Sequence, residues 1–185
     1  TYELGGKGAN GISGGKEYTI QAGGGICQVS TTLYNALLCA NMEIVDRRAH
    51  TIPSDYVPVG LDATVDTRGI DFVWKNNTDM PAYIFAKVEN VEGSSSRHTI
   101  TVYVYGKPLP EGVTYQSRNE IIEERSRQDE AIYTNDASIP TGYQLERVQG
   151  HKYYVAEAYQ DKYVDGKLAE SKLLYTDKYK GNPPE

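Results

Sequence analysis

The stretch GGGICQVSTTLYNALLCA, residues 23–40, joins three glycines to a cysteine and then to a run of helical spacing. Its apolar residues recur at steps of three and four, which predicts one helix over residues 28–42. These residues are Val29, Leu33, Ala36, Leu37 and Ala40. Asn41 follows the apolar stripe and is suited to the left-handed conformation that ends many helices. The glycine-rich segment before it, residues 1–25, predicts loops or tight turns.

Beyond residue 62 the apolar residues alternate with a period of two, which predicts β-strands. Four such segments are DATVD, IDFVWKNNT, PAYIFAKVEN and TITVYVYG, and the earlier EIVDRRAH also fits a short strand. Together with the helix they indicate an α+β fold for a first domain, residues 1–108. We expect the helix that follows the cysteine to pack on an antiparallel sheet.

The second part of the chain, residues 115–185, predicts a small, elongated all-β module. The segments GYQLERVQG, HKYYVAEAYQDKYVDGK and ESKLLYTDKYK alternate, and VDGK is typical of a hairpin turn. NEIIEERSRQDE is charged along most of its length and fits a helix or an edge strand equally well. The turn-rich GKPLPEGVTY, residues 106–115, has the composition of a linker. We therefore expect the first domain to carry its chemistry without the module.

The charge balance argues against a nucleic-acid partner. The chain has 19 basic and 25 acidic residues and a net charge of −6, whereas binding to a phosphate backbone requires a positive surface. No run approaches the roughly 18 apolar residues of a membrane span, and no signal peptide is visible. We expect the chain to begin inside its first domain, so that any membrane attachment comes only from a segment absent here.

The chain has two cysteines, and they predict different roles. If both lie on one helix, its rise separates them by about 18 Å, whereas a disulfide needs Cα atoms within about 7 Å. Cys39 lies in ALLCAN and fits a small buried hydrophobic residue.

Cys27 stands at the predicted helix start, where unpaired N–H groups and a positive partial charge favour the thiolate. The glycines before it would let a substrate backbone approach. This arrangement suits a nucleophile in acyl transfer. The alternative is that the glycines form only a turn and that Cys27 merely begins the helix.

A thiol nucleophile requires a base, and the chain has three histidines, His50, His98 and His151. His50 lies where the chain leaves its predicted first short strand, a usual place for a site residue, and is our candidate. A carboxylate would fix its tautomer. The candidates are Asp55, Asp62 and Asp71, of which Asp62 is preferred. Three dispersed histidines argue against a zinc site built by the protein, and we expect no metal and no cofactor.

Further residues near Cys27 and His50 are candidates for substrate contacts. The backbone N–H groups of Cys27 and Gln28 would form an oxyanion hole. Arg47 or Arg48 would hold a substrate carboxylate through a bidentate pair. The full set of predicted substrate-binding residues is Gly24, Gly25, Gln28, Ser30, Arg47, Arg48 and Tyr56.

Three blocks of this sequence, GGGICQVSTTLYNAL, DRRAHTIPSDYVPVGLDATV and FVWKNNTDMPAYI, closely resemble the VanW domain family of bacterial cell-wall proteins. The resemblance runs over about residues 20–106. The tail, IIEER…IPTGYQLERVQG…YVDGK, is similar to the five-glycine-type β module that often follows this domain. Its glycines of that pattern are Gly142, Gly150 and Gly166.

The resemblance implies a function, because some family members are regarded as L,D-transpeptidases whose nucleophile is the cysteine of a GGxCQ-type motif. That cysteine is Cys27 here. It would attack the carbonyl of the third stem-peptide residue, expel the terminal D-alanine and pass the acyl group to an amine of a neighbouring stem. The product is a 3–3 cross-link in peptidoglycan. In this scheme His50 is the base and Asp62 orients it.

The family also implies the partners and the location. We expect peptidoglycan stem peptides as substrates, glycan strands as ligands of the C-terminal module, and an extracellular site at the cell wall or the outer membrane face. One alternative is a cysteine peptidase or carboxypeptidase on the same stem peptides. The other is a non-catalytic module that binds the cell wall or a glycopeptide, in which Cys27 is structural.

Overall fold

The structure is a computed structural model that describes residues 2–7, 10–13, 17–20, 25–93, 97–145 and 150–184. Within these ranges the regular structure is one α-helix and ten strands, apart from a short 3-10 turn at Gln128–Glu130. The helix α1 spans Ile26–Cys39. The strands are β1 Tyr2–Lys7, β2 Asn10–Ser13, β3 Glu17–Ile20, β4 Glu43–Asp46, β5 Val73–Lys75, β6 Tyr83–Asn90, β7 Arg97–Tyr105, β8 Val113–Arg125, β9 Tyr153–Val164 and β10 Lys167–Tyr179.

Every pairing among these strands is antiparallel. The sheets have the orders β1-β7-β6 and β10-β9-β8, and two further pairs are β2-β3 and β4-β5. One helix among antiparallel sheets is compatible with the predicted α+β class. The arrangement of these elements into the two expected domains stays a prediction.

Two segments of the predicted first domain differ in type from the sequence prediction. The glycine-rich start was expected to form loops, but Tyr2–Lys7 pairs with β7 along its whole length. Backbone hydrogen bonding needs no side chain, so glycines can extend a sheet wherever a neighbouring strand offers a free edge. The segment DATVD, residues 62–66, was expected to be a strand but has no regular structure. Its backbone is bonded instead by side chains of α1.

The helix begins two residues before its predicted start and ends as Asn41 predicts. Asn41 has φ 55°, its N–H donates to Leu38 O at 3.1 Å, and the N–H of Met42 donates to Leu37 O at 3.0 Å. These two bonds form a Schellman motif. The left-handed residue therefore satisfies the last carbonyls of α1 and turns the chain into β4.

The buried face of α1 contains part of the predicted apolar stripe and polar residues as well. Ala36 and Leu37 of the stripe are buried, whereas Val29 is 45% exposed. Thr31 and Asn35 are also fully buried. Periodicity of apolar residues missed these two polar residues because they face a loop whose backbone they bond. A second contact, Ala36 against Ile100 and Val102, packs α1 on β7.

The C-terminal part forms the three-stranded sheet β10-β9-β8. NEIIEERSRQDE lies mostly in β8, so the strand alternative is the correct one there, and β8 is an edge strand. Asp165 and Gly166 have φ 51° and 75°, as a two-residue type I′ hairpin requires. VDGK is therefore the turn that the sequence predicts, whereas residues 143–145 form no strand.

Residues of this sheet close the core around α1. Ala158 packs with Val57 and Leu61, and the Gln160 side chain donates to Leu38 O at 2.7 Å. Leu174 and Tyr175 pack against the cluster of Tyr34, Leu38 and Ala63. The division at residues 108 and 115 stays a prediction, but the parts on its two sides share a buried interface.

Candidate active site

The N-terminus of α1 presents Cys27 in its first turn. Gly25 is the N-cap with φ 90°, a conformation that favours glycine. The N–H of Gln28 donates to Gly25 O at 3.0 Å, so it is already used and does not suit the predicted oxyanion hole. No described residue accepts a hydrogen bond from the N–H of Cys27. Gly24, a predicted substrate contact, lies outside the described residues.

Three polar side chains fasten α1 to the loop of residues 61–65. Ser30 Oγ donates to Ala63 O at 2.6 Å, and Ala63 N donates to Thr31 Oγ1 at 2.9 Å. Asn35 Nδ2 donates to Leu61 O at 2.8 Å. The bonds fix Asp62 and Thr64 relative to Cys27. Ser30 was predicted to bind substrate, but its hydroxyl proton is committed to this loop.

The thiol of Cys27 is half-buried against the same loop. Its Sγ lies 3.5 Å from Thr64 Oγ1 and 3.3 Å from Val65 O. Burial by itself raises the pKa of the Cys27 thiol, but hydrogen bonds to His50 and Thr64 and the positive charge of His50 outweigh it, so the pKa falls to about 7. A large fraction of Cys27 is therefore thiolate near neutral pH.

His50 is held by Asp62 through two hydrogen bonds. Nδ1 of His50 lies 2.5 Å from Oδ2 of Asp62, and the backbone N–H of His50 donates to the same oxygen at 2.7 Å. Burial by itself lowers the pKa of His50. The hydrogen bonds to Asp62 and Cys27 and the negative charges of these two groups have the larger effect and raise the pKa to about 9. With Nδ1 on Asp62, the other ring nitrogen, Nε2, is the one left for the thiol.

Asp62 is the buried hub of the site, with 1% of its surface exposed. Its Oδ1 accepts hydrogen bonds from the Tyr179 hydroxyl and, at 3.3 Å, from Arg47. Burial raises the pKa of Asp62, but its bonds to His50 and Tyr179 and the charges of His50 and Arg47 hold the pKa below its ordinary value. The other two candidates, Asp55 and Asp71, are exposed and make no bond to His50.

Arg47 lies inside the protein and not at a position where it could bind substrate, as was predicted. Its side chain is fully buried and bonds Asp62, Asp177 and the carbonyl of Gly60. A guanidinium engaged on all sides cannot reach a substrate carboxylate, so burial argues against that role. Arg48, the alternative, is exposed, and its role as a carboxylate ligand stays a prediction.

Of the remaining candidates, Tyr56 lies at the site, and three others lie away from it. The Tyr56 ring is half-buried and lies edge-on to His50, with ring centres 6.5 Å apart. Burial raises the pKa of Tyr56 to about 12, so its hydroxyl stays protonated. His98 lies exposed on β7, and His151 bridges to Asn182. Cys39 is a free thiol at the far end of α1, half-buried rather than buried.

Sequence reasoning missed Thr64, Asp177 and Tyr179. The sequence could have indicated Thr64, because it follows Asp62 by two positions and an extended chain points such residues to the same side. The sequence could not have indicated Asp177 and Tyr179, because the alternation of residues in β10 does not show which of them face another part of the chain.

The described part of the chain contains neither a metal-binding cluster nor a membrane-spanning helix. No group of three or more His, Cys, Asp or Glu side chains there is placed to hold a metal ion. Its helix is also too short and too polar to cross a membrane.

Comparison with known proteins places the sequence in a family. Residues 2–101, more than half of the chain, match the family described as VanW-like protein. The chain is 52% identical over 65 residues to the uncharacterized protein YoaR of Bacillus subtilis (strain 168), which covers 35% of this chain and 22% of that protein. It is 26% identical over 174 residues to the vancomycin B-type resistance protein VanW of Enterococcus faecalis (strain ATCC 700802 / V583). This match covers 91% of this chain and 53% of that protein.

The chain thus spans about half or less of the length of these curated relatives. No solved structure matches it. The match confirms the predicted resemblance to the VanW family. The five-glycine-type module stays a prediction. The chain belongs to the VanW-like protein family.

Proposed function

We propose that this protein is a cysteine acyltransferase of the bacterial cell wall, an L,D-transpeptidase that forms 3–3 cross-links in peptidoglycan. The observation that carries the proposal is the geometry around one thiol. Cys27 lies in the first turn of α1 with its Sγ against Thr64 and Val65, and Nδ1 of His50 lies 2.5 Å from the Asp62 carboxylate. The lowering of the Cys27 pKa to about 7, to which His50 contributes, is consistent with this geometry. A nucleophile, a base and an orienting carboxylate are the parts that acyl transfer requires.

In the first half-reaction, the Cys27 thiolate attacks the carbonyl carbon of the third stem-peptide residue and forms a C–S bond. The carbonyl oxygen becomes an oxyanion, and the N–H of Cys27 at the helix N-terminus, for which the described residues offer no acceptor, would donate to it. The intermediate collapses by breaking the C–N bond to the terminal D-alanine. The imidazolium of His50 gives its proton to the leaving nitrogen. The result is a thioester and neutral His50.

In the second half-reaction, an amine of a neighbouring stem peptide attacks the thioester carbonyl. His50 takes the proton of this amine, the new C–N bond forms, and Cys27 leaves as thiolate. Asp62 stabilises the imidazolium at both stages, because its carboxylate is ionised and bonded to Nδ1. Water in place of the amine would give the carboxypeptidase alternative by the same steps.

The cell-wall setting rests on the family. One relative is named a vancomycin B-type resistance protein, and the VanW domain family that the sequence resembles is one of bacterial cell-wall proteins. We therefore propose peptidoglycan stem peptides as substrates, an extracellular location at the wall or the outer membrane face, and glycan strands as ligands of the C-terminal part. Arg48 and Tyr56 are proposed to contact the peptide.

Purified chain incubated with disaccharide-tetrapeptides tests the proposal, with products identified by mass spectrometry. We expect 3–3 cross-linked dimers together with free D-alanine. Cys27→Ala should abolish both, whereas the matched Cys39→Ala variant should retain both. Free D-alanine without dimers would favour the carboxypeptidase. Saturable binding without either product would favour the non-catalytic binding module, and activity retained by folded Cys27→Ala would refute a cysteine mechanism.

A further inference from the structure

We propose that Tyr179, on the last strand, is a positioning residue that keeps the Asp62 carboxylate on His50. The inference rests on the proposed function for its effect on turnover. Its effect on the thiol can be measured without any substrate.

The two oxygens of Asp62 have separate partners. Oδ2 takes both contacts of His50, at 2.7 Å from its backbone nitrogen and 2.5 Å from Nδ1. Oδ1 takes the Tyr179 hydroxyl and the Arg47 guanidinium. The orientation of the carboxylate thus decides whether an oxygen remains for His50.

Arg47 competes for this carboxylate. Its Nε already donates to the backbone oxygen of Asp62 at 2.5 Å, and its NH2 group lies 3.3 Å from Oδ1. Arginine prefers planar, bidentate contact with both oxygens of a carboxylate. A rotation of Asp62 toward such a pair would draw Oδ2 away from His50. Tyr179 opposes the rotation because its hydroxyl donates a hydrogen bond to Oδ1.

The Tyr179 proton can point only one way. The hydroxyl accepts a hydrogen bond from Gly60 N at 2.7 Å, so its single proton is left for Oδ1 of Asp62. Burial and the charge of Asp62 raise the pKa of Tyr179 far above its ordinary value, which keeps that proton in place. The side chain is fully buried and does not face a substrate.

The end of the same strand also holds the backbone next to His50. The N–H of Lys180 donates to Thr51 O at 2.9 Å. The last strand thereby contacts the segment that carries His50, the turn at Gly60 and Asp62 itself. Residues outside the matched family range of 2–101 complete the site.

The test compares Tyr179→Phe with Tyr175→Phe in the full chain. Tyr175 lies on the same strand, and its ring lies 5.2 Å from the Arg47 guanidinium carbon, but it makes no bond to Asp62, so it is the matched control. Alkylation of Cys27 by iodoacetamide is followed against pH, and kcat and KM are measured on disaccharide-tetrapeptides. We expect Tyr179→Phe to move the apparent Cys27 pKa from near 7 toward the ordinary value of about 8.5. The kcat should fall about 10-fold or more at unchanged KM, since a bond to a charged group is lost. Tyr175→Phe should change neither.

A folded Tyr179→Phe protein with the wild-type thiol profile would overturn the positioning role. If that variant does not fold, 3-fluorotyrosine at position 179 retains the ring and donates more strongly, and it should shift the proton resonance of His50 Nδ1; no shift would equally overturn the inference. A wild-type protein with a low thiol pKa but no products would refute the proposed function alone, because the thiol readout needs no substrate.

Discussion

The guanidinium of Arg47 lies 2.5 Å from the carboxylate of Asp177, a residue 130 positions further along the chain. The same guanidinium bonds Asp62 and lies between the rings of Tyr34 and Tyr175, 5.4 and 5.2 Å from their centres. One buried cation thus contacts two carboxylates. The pKa of Asp177 stays above its ordinary value, because burial raises it and the charge and hydrogen bond of Arg47 offset only part of that effect.

Arg47→Met should destabilise the protein strongly. It leaves the buried Asp62 and the half-buried Asp177 without the guanidinium, and removal of one partner of a buried pair costs about 3–5 kcal/mol. Chemical denaturation measures the free energy of unfolding. Arg48→Met is the matched control, since Arg48 is exposed and its loss should change stability by less than about 0.5 kcal/mol. Equal effects of the two substitutions would contradict the role assigned to Arg47.

Alkylation against pH should separate the two thiols. The pKa of Cys27 is lowered to about 7, whereas burial raises the pKa of Cys39. The thiolate fraction of Cys27 therefore rises as the pH passes through about 7, while Cys39 stays protonated there. Mass spectrometry of the alkylated peptides should show one fast thiol at pH 7.5, and Cys39→Ala should leave its rate unchanged. Equal slow labelling of both thiols would favour a structural Cys27.

Turnover should have a bell-shaped dependence on pH. The attacking form needs thiolate, which is lost as the pH falls through about 7, and imidazolium, which is lost as the pH rises through about 9. The maximum should therefore lie between these values, and the two limbs belong to the coupled pair. The profile of kcat/KM with a soluble tetrapeptide donor measures both limbs. An activity that still rises above pH 10 would contradict a catalytic imidazolium.

His50→Gln should reduce turnover far more than binding. A base acts in proton transfer, so its loss should lower kcat by about 10²–10⁴-fold with little change in KM. His98→Gln is the control, because His98 is exposed on β7 and should be silent. An inactive His98 variant beside an active His50 variant would reverse the assignment of the base.

The features that the sequence could predict are those that depend on the conformational preferences of neighbouring residues. Glycines before a cysteine and a helical run locate the thiol at a helix N-terminus, and Asn41 and Asp165–Gly166 dictate their turns through positive φ. Those features depend on neighbouring residues only. The pairing of His50 with Asp62 was a choice among three carboxylates, and it agrees with the structure because Asp62 alone is buried beside the ring.

The rest depends on contacts between distant parts of the chain. The polar residues Thr31 and Asn35 are buried because their partners are backbone atoms of the loop at residues 61–63. Apolar periodicity contains no information about such partners. Arg47 was expected to bind a substrate carboxylate, because only the folded chain brings Asp177 and the aromatic rings to its guanidinium.

Removal of the C-terminal part should abolish the activity rather than spare it. The sequence predicts that a fragment ending near Gly106 works alone, but β10 supplies Tyr179 to Asp62 and Asp177 to Arg47. Without that strand the carboxylate of Asp62 loses a donor and Arg47 loses a counter-charge, and apolar residues such as Val57 and Leu61 lose Ala158. We therefore expect the fragment to aggregate or, if it is folded and monomeric, to show a Cys27 thiol with a more ordinary pKa and no turnover on soluble tetrapeptides. Size-exclusion chromatography, circular dichroism and the alkylation profile distinguish these two results. A folded, monomeric fragment with full turnover would instead establish that the first domain is sufficient and that the contacts of β10 serve stability alone.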